Sequence, residues 1–157
     1  MGSKSDLVLI DTNIFVIDLR YKRDVKFNSN RVFLDYIAKK RNGFTTVVNL
    51  LELCGILSFN LNEKQLTELW SYFQQKYQVA VLPFPSLDVK FPEVEIREIF
   101  DMLKTRTSLG DALMISVAKK HTPFCRTMIS WDNLHFETIF QGPVLTPEEF
   151  IRSSAEK

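Results

Sequence analysis

Four carboxylates stand in or beside apolar stretches of this chain. Asp11 ends the run Leu7-Val8-Leu9-Ile10, and Glu52 is the only charged residue between Phe44 and Phe59. Asp111 opens the run Ala112-Leu113-Met114-Ile115, and Asp132 follows Met128-Ile129-Ser130-Trp131. A carboxylate beside buried surface is costly unless it is paired, hydrogen-bonded or bound to a cation. Four of them, with no Lys or Arg inside the same runs, point to an acidic pocket that holds a divalent metal. Carboxylates without Cys or a His pair are hard oxygen donors, which suit Mg²⁺ or Mn²⁺ better than Zn²⁺.

Each acid also has a plainer reading. Asp11, within Leu9-Ile10-Asp11-Thr12-Asn13, can cap a helix at a strand-to-helix turn. Asp111 can stabilise its helix through the dipole, and Asp132 can form a turn. Glu52 is harder to dismiss, because Glu is a poor cap and ill suited to an apolar helix. Their joint appearance favours the site over four separate accidents.

Other chemistries are thinly represented. The five glycines are scattered and form no phosphate-binding loop. Ser108-Leu109-Gly110 lacks the flanks of a nucleophile elbow. His121 and His135 have no ligand spacing and read as surface or internally satisfied residues. A phosphatase using Asp11 as nucleophile would need a second Asp where Asn13 stands. A receiver-like domain would need paired acids ahead of its phosphoacceptor strand and a later Lys, and neither is evident.

The elements that must position these acids alternate along the chain. Leu7 to Ile10 reads as a buried strand, followed by a helix from about Asn13 to Arg20 and a polar loop through Asn28. Ser29 or Asn30 is the expected cap of a helix through Lys40, with Val32, Phe33, Tyr36 and Ile37 inward and Gly43 as its breaker. A short strand from Phe44 to Thr46 leads into an apolar helix from Val47, which must be buried on most sides or lie in a subunit interface. A clearer helix starts at Asn62-Glu63-Lys64-Gln65, with Leu66, Leu69, Trp70, Phe73 and Tyr77 at helical spacing. Val79 to Leu82 is a strand stopped by Pro83 and Pro85. The spacing then predicts a helix over 93–104, apolar at Ile96, Ile99, Phe100 and Leu103, and another from Ser108 through Lys120. Thr127 to Ile129 and Pro143 to Leu145 complete the strands. Thr146-Pro147-Glu148-Glu149 reads as a helix start.

Such alternation predicts an α/β fold, a three-layer α/β/α sandwich with a central, mostly parallel sheet, as one domain over residues 5–152. Ligands of such sheets collect beyond the carboxyl ends of the strands. Asp11 and Asp132 lie just past strand ends, and Asp111 and Glu52 lie in the first and second turns of their helices. All four can therefore converge.

At 157 residues, 45% apolar and 25% charged, the chain can bury a core without staples. Cys54 and Cys125 lie in apolar stretches and read as free thiols of a cytoplasmic protein. No apolar run approaches the roughly 20 residues that span a bilayer, and no signal peptide precedes the first strand. Met1-Gly2-Ser3 reads as a tag remnant and carries no weight. Net charge is +1, which says nothing about nucleic acid. Locally, eight Lys or Arg between Arg20 and Arg41 face only Asp24 and Asp35. That segment can hold a phosphate backbone, or can be a solvated helix and loop surface.

Taken in order, Leu9-Ile10-Asp11-Thr12-Asn13, Val48-Asn49-Leu50-Leu51-Glu52-Leu53, Gly110-Asp111-Ala112-Leu113-Met114-Ile115-Ser116-Val117-Ala118 and Ile129-Ser130-Trp131-Asp132 resemble the four acidic motifs of PIN-domain proteins, VapC-type ribonucleases in particular. The resemblance spans about residues 7 to 148. It implies Mg²⁺- or Mn²⁺-dependent cleavage of RNA in a cytoplasmic protein that is frequently a homodimer. It also implies that Asp11, Glu52 and Asp111 are core metal-site acids and that Asp132 is the more variable fourth. Asn13 and Ser130 match positions whose polar side chains support the site, and with Arg31 of the basic segment they form the expected substrate-binding set. A VapC-type toxin would add an antitoxin-like protein partner. The extended, basic loop after the first helix departs from the compact toxin pattern, so another RNA-processing role stands beside it. The alternative is a catalytically degenerate PIN domain that binds RNA or protein.

Overall fold

A computed structural model describes residues 6–157. The proposed domain start at residue 5 and the reading of Met1-Gly2-Ser3 lie outside these residues.

Three short apolar strands form the middle of one sheet: β1 (Val8–Ile10), β2 (Gly43–Thr46) and β4 (Thr127–Ile129), flanked by β3 (Ala80–Leu82) and β5 (Val144–Leu145). Every pairing is parallel and the order is β3-β2-β1-β4-β5. Both faces are covered, which is why the strands read as continuous apolar runs rather than alternating ones. Val8 and Ile10 enter one core with Phe15, Phe33, Ile37, Leu50, Phe73 and Tyr77. Leu9 points into the other, with Phe44, Met114, Ile115, Met128 and Phe136. The first core is closed by α1 (Thr12–Arg20), α2 (Phe27–Lys40), α3 (Val47–Leu57), α4 (Glu63–Tyr77) and α8 (Pro147–Ala155). The second lies under α5 (Ile96–Leu103), α6 (Leu109–His121) and α7 (Asn133–Phe136). The expected α/β class, with helices on both faces of the sheet, is what the chain adopts, and the sheet is wholly parallel.

The order places β1 between β2 and β4. The chain leaves β1 toward β2 on one side and later returns to lay β4 on the other, so a crevice opens beyond the carboxyl ends of β1 and β4.

Several local expectations need correction. Lys26, not Ser29 or Asn30, precedes the first residue of α2. Asn30 is fully buried instead, where its amide donates to the Ile14 carbonyl (2.8 Å) and accepts from the Trp131 indole (2.8 Å). A side chain so engaged ties α2 to α1 and cannot cap its own helix. Val32 is exposed and Leu34 takes the inward place. Arg41, at φ 53°, ends α2. Gly43 already belongs to β2, where a Cβ would collide with Ile37 Cγ2 and lie 2.9 Å from Ile10 Cδ1. Helix α5 starts at Ile96 and buries Ile99 and Met102, while Ile96, Phe100 and Leu103 face outward. The four-residue α7 was not foreseen.

Cys54 and Cys125 are free thiols. Among the described residues no helix is long and apolar enough to cross a membrane.

Candidate active site

Asp11 leaves β1 with its amide bound to the Ile129 carbonyl (3.0 Å), which brings it beside the end of β4. It is buried, and each of its carboxylate oxygens is engaged. Oδ1 accepts from the Thr12 amide (2.8 Å), so the capping role is real, and Oδ2 accepts from the Ser130 hydroxyl (2.7 Å). Ser130 Oγ also accepts from the Asn13 amide (3.1 Å) and from the Asp132 backbone N–H (3.0 Å), while Asn13 Oδ1 accepts from Trp131 N (3.3 Å). Asn13 and Ser130 thus form a bracket that joins the β1 and β4 ends and sets Asp11 and Asp132 beside each other.

The other two acids come from helices that begin at the same edge. Thr46 caps α3 in a reciprocal capping box with Asn49. The Asn49 amide donates to Thr12 Oγ1 (2.9 Å), and the Thr12 hydroxyl in turn hydrogen-bonds Glu52. This relay holds Glu52 over the cleft from the second turn of α3. Ser108 caps α6 through the Asp111 amide (3.2 Å), so the Asp111 side chain leaves from the first turn. Asp111 Oδ2 lies 3.1 Å from His135 Nε2 on α7. Gly110 makes room for Glu52: a Cβ there would stand 2.9 Å from Glu52 Oε2.

Asp11, Glu52, Asp111 and Asp132 line a single cleft of about 350 Å³, together with Asn13, Asp24 and the apolar Val16, Ile17, Tyr21, Ile56 and Phe136. No Lys or Arg lines it among the described residues. Burial pushes the Asp11 carboxyl up to about 7; the Ser130 hydrogen bond opposes this, and the negative charge of Asp111 adds to it. Glu52 is raised as well, chiefly by partial burial, against the Thr12 hydrogen bond and with the Asp111 charge. Burial, with the Asp111 charge beside it, thus brings the Asp11 carboxyl into the neutral pH range.

The donor chemistry fits a hard divalent ion, since the polar wall is almost entirely carboxylate oxygen. Among the described residues, no three His, Cys, Asp or Glu side chains are already drawn together as a ligand group.

Arg31 lies elsewhere. Its guanidinium is divided between Asp18 (2.7 Å) and Asp35 (2.8 Å), and Asp18 is buried and also receives the Tyr77 hydroxyl (2.7 Å). The structure therefore places Arg31 in a support for α1 and α2, away from the cleft lining. Sequence reasoning named Thr12 and Gly110 within the acidic motifs, Asp24 only against the basic segment and His135 as a surface or internally satisfied residue, and gave none of them a part in the cleft. Thr12 and Gly110, each adjacent to a motif acid, and His135, three residues after Asp132, carried a positional signal.

No family model and no curated protein matches the chain. Solved structures do. The crystal structure of FitAcB from Neisseria gonorrhoeae is 19% identical with a TM-score of 0.57, covering 90% of this chain and 98% of that one. FitAB bound to an IR36 DNA fragment is 18% identical, with a TM-score of 0.55 over 90% and 96% of the two chains. VapBC2 from Rickettsia felis, bound to a DNA fragment from their promoter, is 18% identical with a TM-score of 0.55 over 88% and 96%. At these identities the likeness establishes a shared fold.

Proposed function

We propose that this chain is a Mg²⁺- or Mn²⁺-dependent ribonuclease that hydrolyses RNA phosphodiester bonds in the acidic cleft. One observation carries the reading: four carboxylates from four separate segments line one cleft at the β1/β4 switch point, with no Lys or Arg in its lining among the described residues. Asp11, Glu52, Asp111 and Asp132 would hold the ion, which supplies an acidified water and charge stabilisation at phosphate. The protein's own part is orientation. Ser130 and Thr12 fix Asp11 in one rotamer, Asn49 and Thr12 fix Glu52, and His135 restrains Asp111. Asp132 spends no side-chain hydrogen bond on capping α7, which leaves its carboxylate for the ion or for the attacking water.

Motif order and the likeness to a VapBC assembly support a VapC-type setting, with a homodimer and an antitoxin-like protein partner. A catalytically degenerate domain that binds RNA or protein is the second reading, favoured by the lack of a ready-drawn ligand group among the described residues.

The test is cleavage of a mixed single-stranded RNA pool in Mn²⁺, in Mg²⁺ and in EDTA, with Asp11→Asn alongside. Metal-dependent cleavage lost in the variant is the expected result. A folded wild type that neither cleaves nor melts higher with Mn²⁺ would favour the binding module.

A further inference from the structure

Tyr21 lines the cleft with a ring that belongs to neither hydrophobic core. Its backbone closes α1, with the amide bound to the Ile17 carbonyl (3.1 Å), and its carbonyl accepts from Asp24 N (3.0 Å). The ring is 45% exposed. It nevertheless lines the cleft that holds the four acids. Exposed rings are common on a protein surface, but one in the wall of an acidic cleft offers its face to a ligand.

The surroundings of Tyr21 indicate that use. It sits in Arg20-Tyr21-Lys22-Arg23, with Lys26 following, and these four cations are exposed. None of them has a carboxylate partner in an ion pair among the described residues. The Arg20 guanidinium lies 5.4 Å from the Tyr21 ring centroid. Asp24, the one acid of the loop, is occupied in part by the Lys26 amide (2.8 Å). Trp131, by contrast, is half-buried, and its indole N–H donates to buried Asn30. An exposed aromatic ring at a cleft, among cations without carboxylate partners, is an arrangement that binds an unpaired strand, with bases on the ring and phosphates on the cations. A duplex offers its phosphates to such a loop but keeps its base faces stacked inside.

We propose that the 20–26 loop is the strand-docking element of the site, and that Tyr21 stacks one unpaired base beside the acidic cleft. This rests on the nuclease reading for its setting. It assigns Tyr21 as a substrate-binding residue and moves backbone contact from Arg31 to Arg20, Lys22, Arg23 and Lys26.

The test is fluorescence anisotropy in EDTA, where binding is read without cleavage. The probe is a 5′-fluorescein, mixed-sequence RNA of about 12 nucleotides, free or annealed to its complement. Tyr21→Ala should weaken single-strand binding about ten-fold and leave duplex binding unchanged. Tyr21→Trp should retain binding, and Tyr21→Leu, which keeps apolar bulk without a π face, should behave as Ala does. Lys22→Gln with Arg23→Gln should weaken both probes and flatten the salt dependence. Tyr21→Ala or Tyr21→Leu binding the single strand as wild type does would overturn the proposal. So would equal losses on strand and duplex. Cleavage in Mn²⁺ is scored separately. A wild type that cleaves while Tyr21→Ala binds normally overturns the stacking site alone, and one that binds through Tyr21 without cleaving overturns the nuclease alone.

Discussion

The Ser130 hydroxyl donates to Asp11 Oδ2 at 2.7 Å, across the gap between two adjacent parallel strands. It opposes the burial that drives the Asp11 carboxyl toward its protonated form. Ser130→Ala should therefore raise the Asp11 pKa above its value of about 7. Carbon-13 NMR titration of the Asp11 carboxyl reads this directly, and a lower value in the variant would refute the role given to Ser130. The Asp132 amide loses its acceptor in the same change, at a cost of about 1–3 kcal/mol in stability.

Stability of the metal-free protein should fall as pH rises. Asp11 ionises near the ordinary Asp value of 3.8 when unfolded and only at about 7 when folded, so between these values the folded state holds the extra proton. The loss begins above the lower value and is complete above the higher one, reaching on the order of 4 kcal/mol. Glu52 shifts in the same direction. Urea denaturation in EDTA at pH 5 and pH 8 tests this, with Asp11→Asn as the reference. The variant should lose much less stability over that interval while losing cleavage outright.

Gly110→Ala should separate stability from activity. The new Cβ would reach to 2.9 Å from Glu52 Oε2 and displace that carboxylate from its place over the cleft. Helix α6 itself should gain up to about 1 kcal/mol, because Ala is the better helix former. An unchanged or raised melting temperature with a loss of metal-dependent cleavage of ten-fold or more, on the order of 1.4 kcal/mol, is expected. Full activity would show that the position of Glu52 is not critical.

Arg31→Ala should act on the fold. Removing the guanidinium leaves buried Asp18 with the Tyr77 hydroxyl as its remaining side-chain partner, a loss of about 1–3 kcal/mol. RNA binding by the folded variant should match wild type. Weakened binding at unchanged stability would return Arg31 to the substrate-contacting set.

The strands and most helices could be read from the chain because their causes are local. An apolar run such as Val8–Ile10, a cap such as Asn62 with Gln65, and Pro147 after Thr146 each act within a few residues. The outward apolar side of α5 could not, since helical spacing gives a stripe its period and leaves open how much of it is covered. Asn30 was misread for a related reason. As a cap it competes with what Ile14 and Trp131 offer, and those partners are distant in sequence.

By itself the sequence determined the parallel α/β class and picked out four acids that apolar neighbours made expensive. The tertiary structure decided which polar groups share the cleft and which are used up. The residue types of Arg31 and Arg20 predict the same chemistry, yet one is held by two carboxylates and the other has no ion-pair partner among the described residues. Tyr21 and Tyr77 are likewise one residue type, but Tyr77 is buried on Asp18 and Tyr21 lies open in the cleft. The difference is long-range pairing. A side chain's chemistry is written in its own residue, but its availability depends on whether folding brings it a partner from elsewhere in the chain.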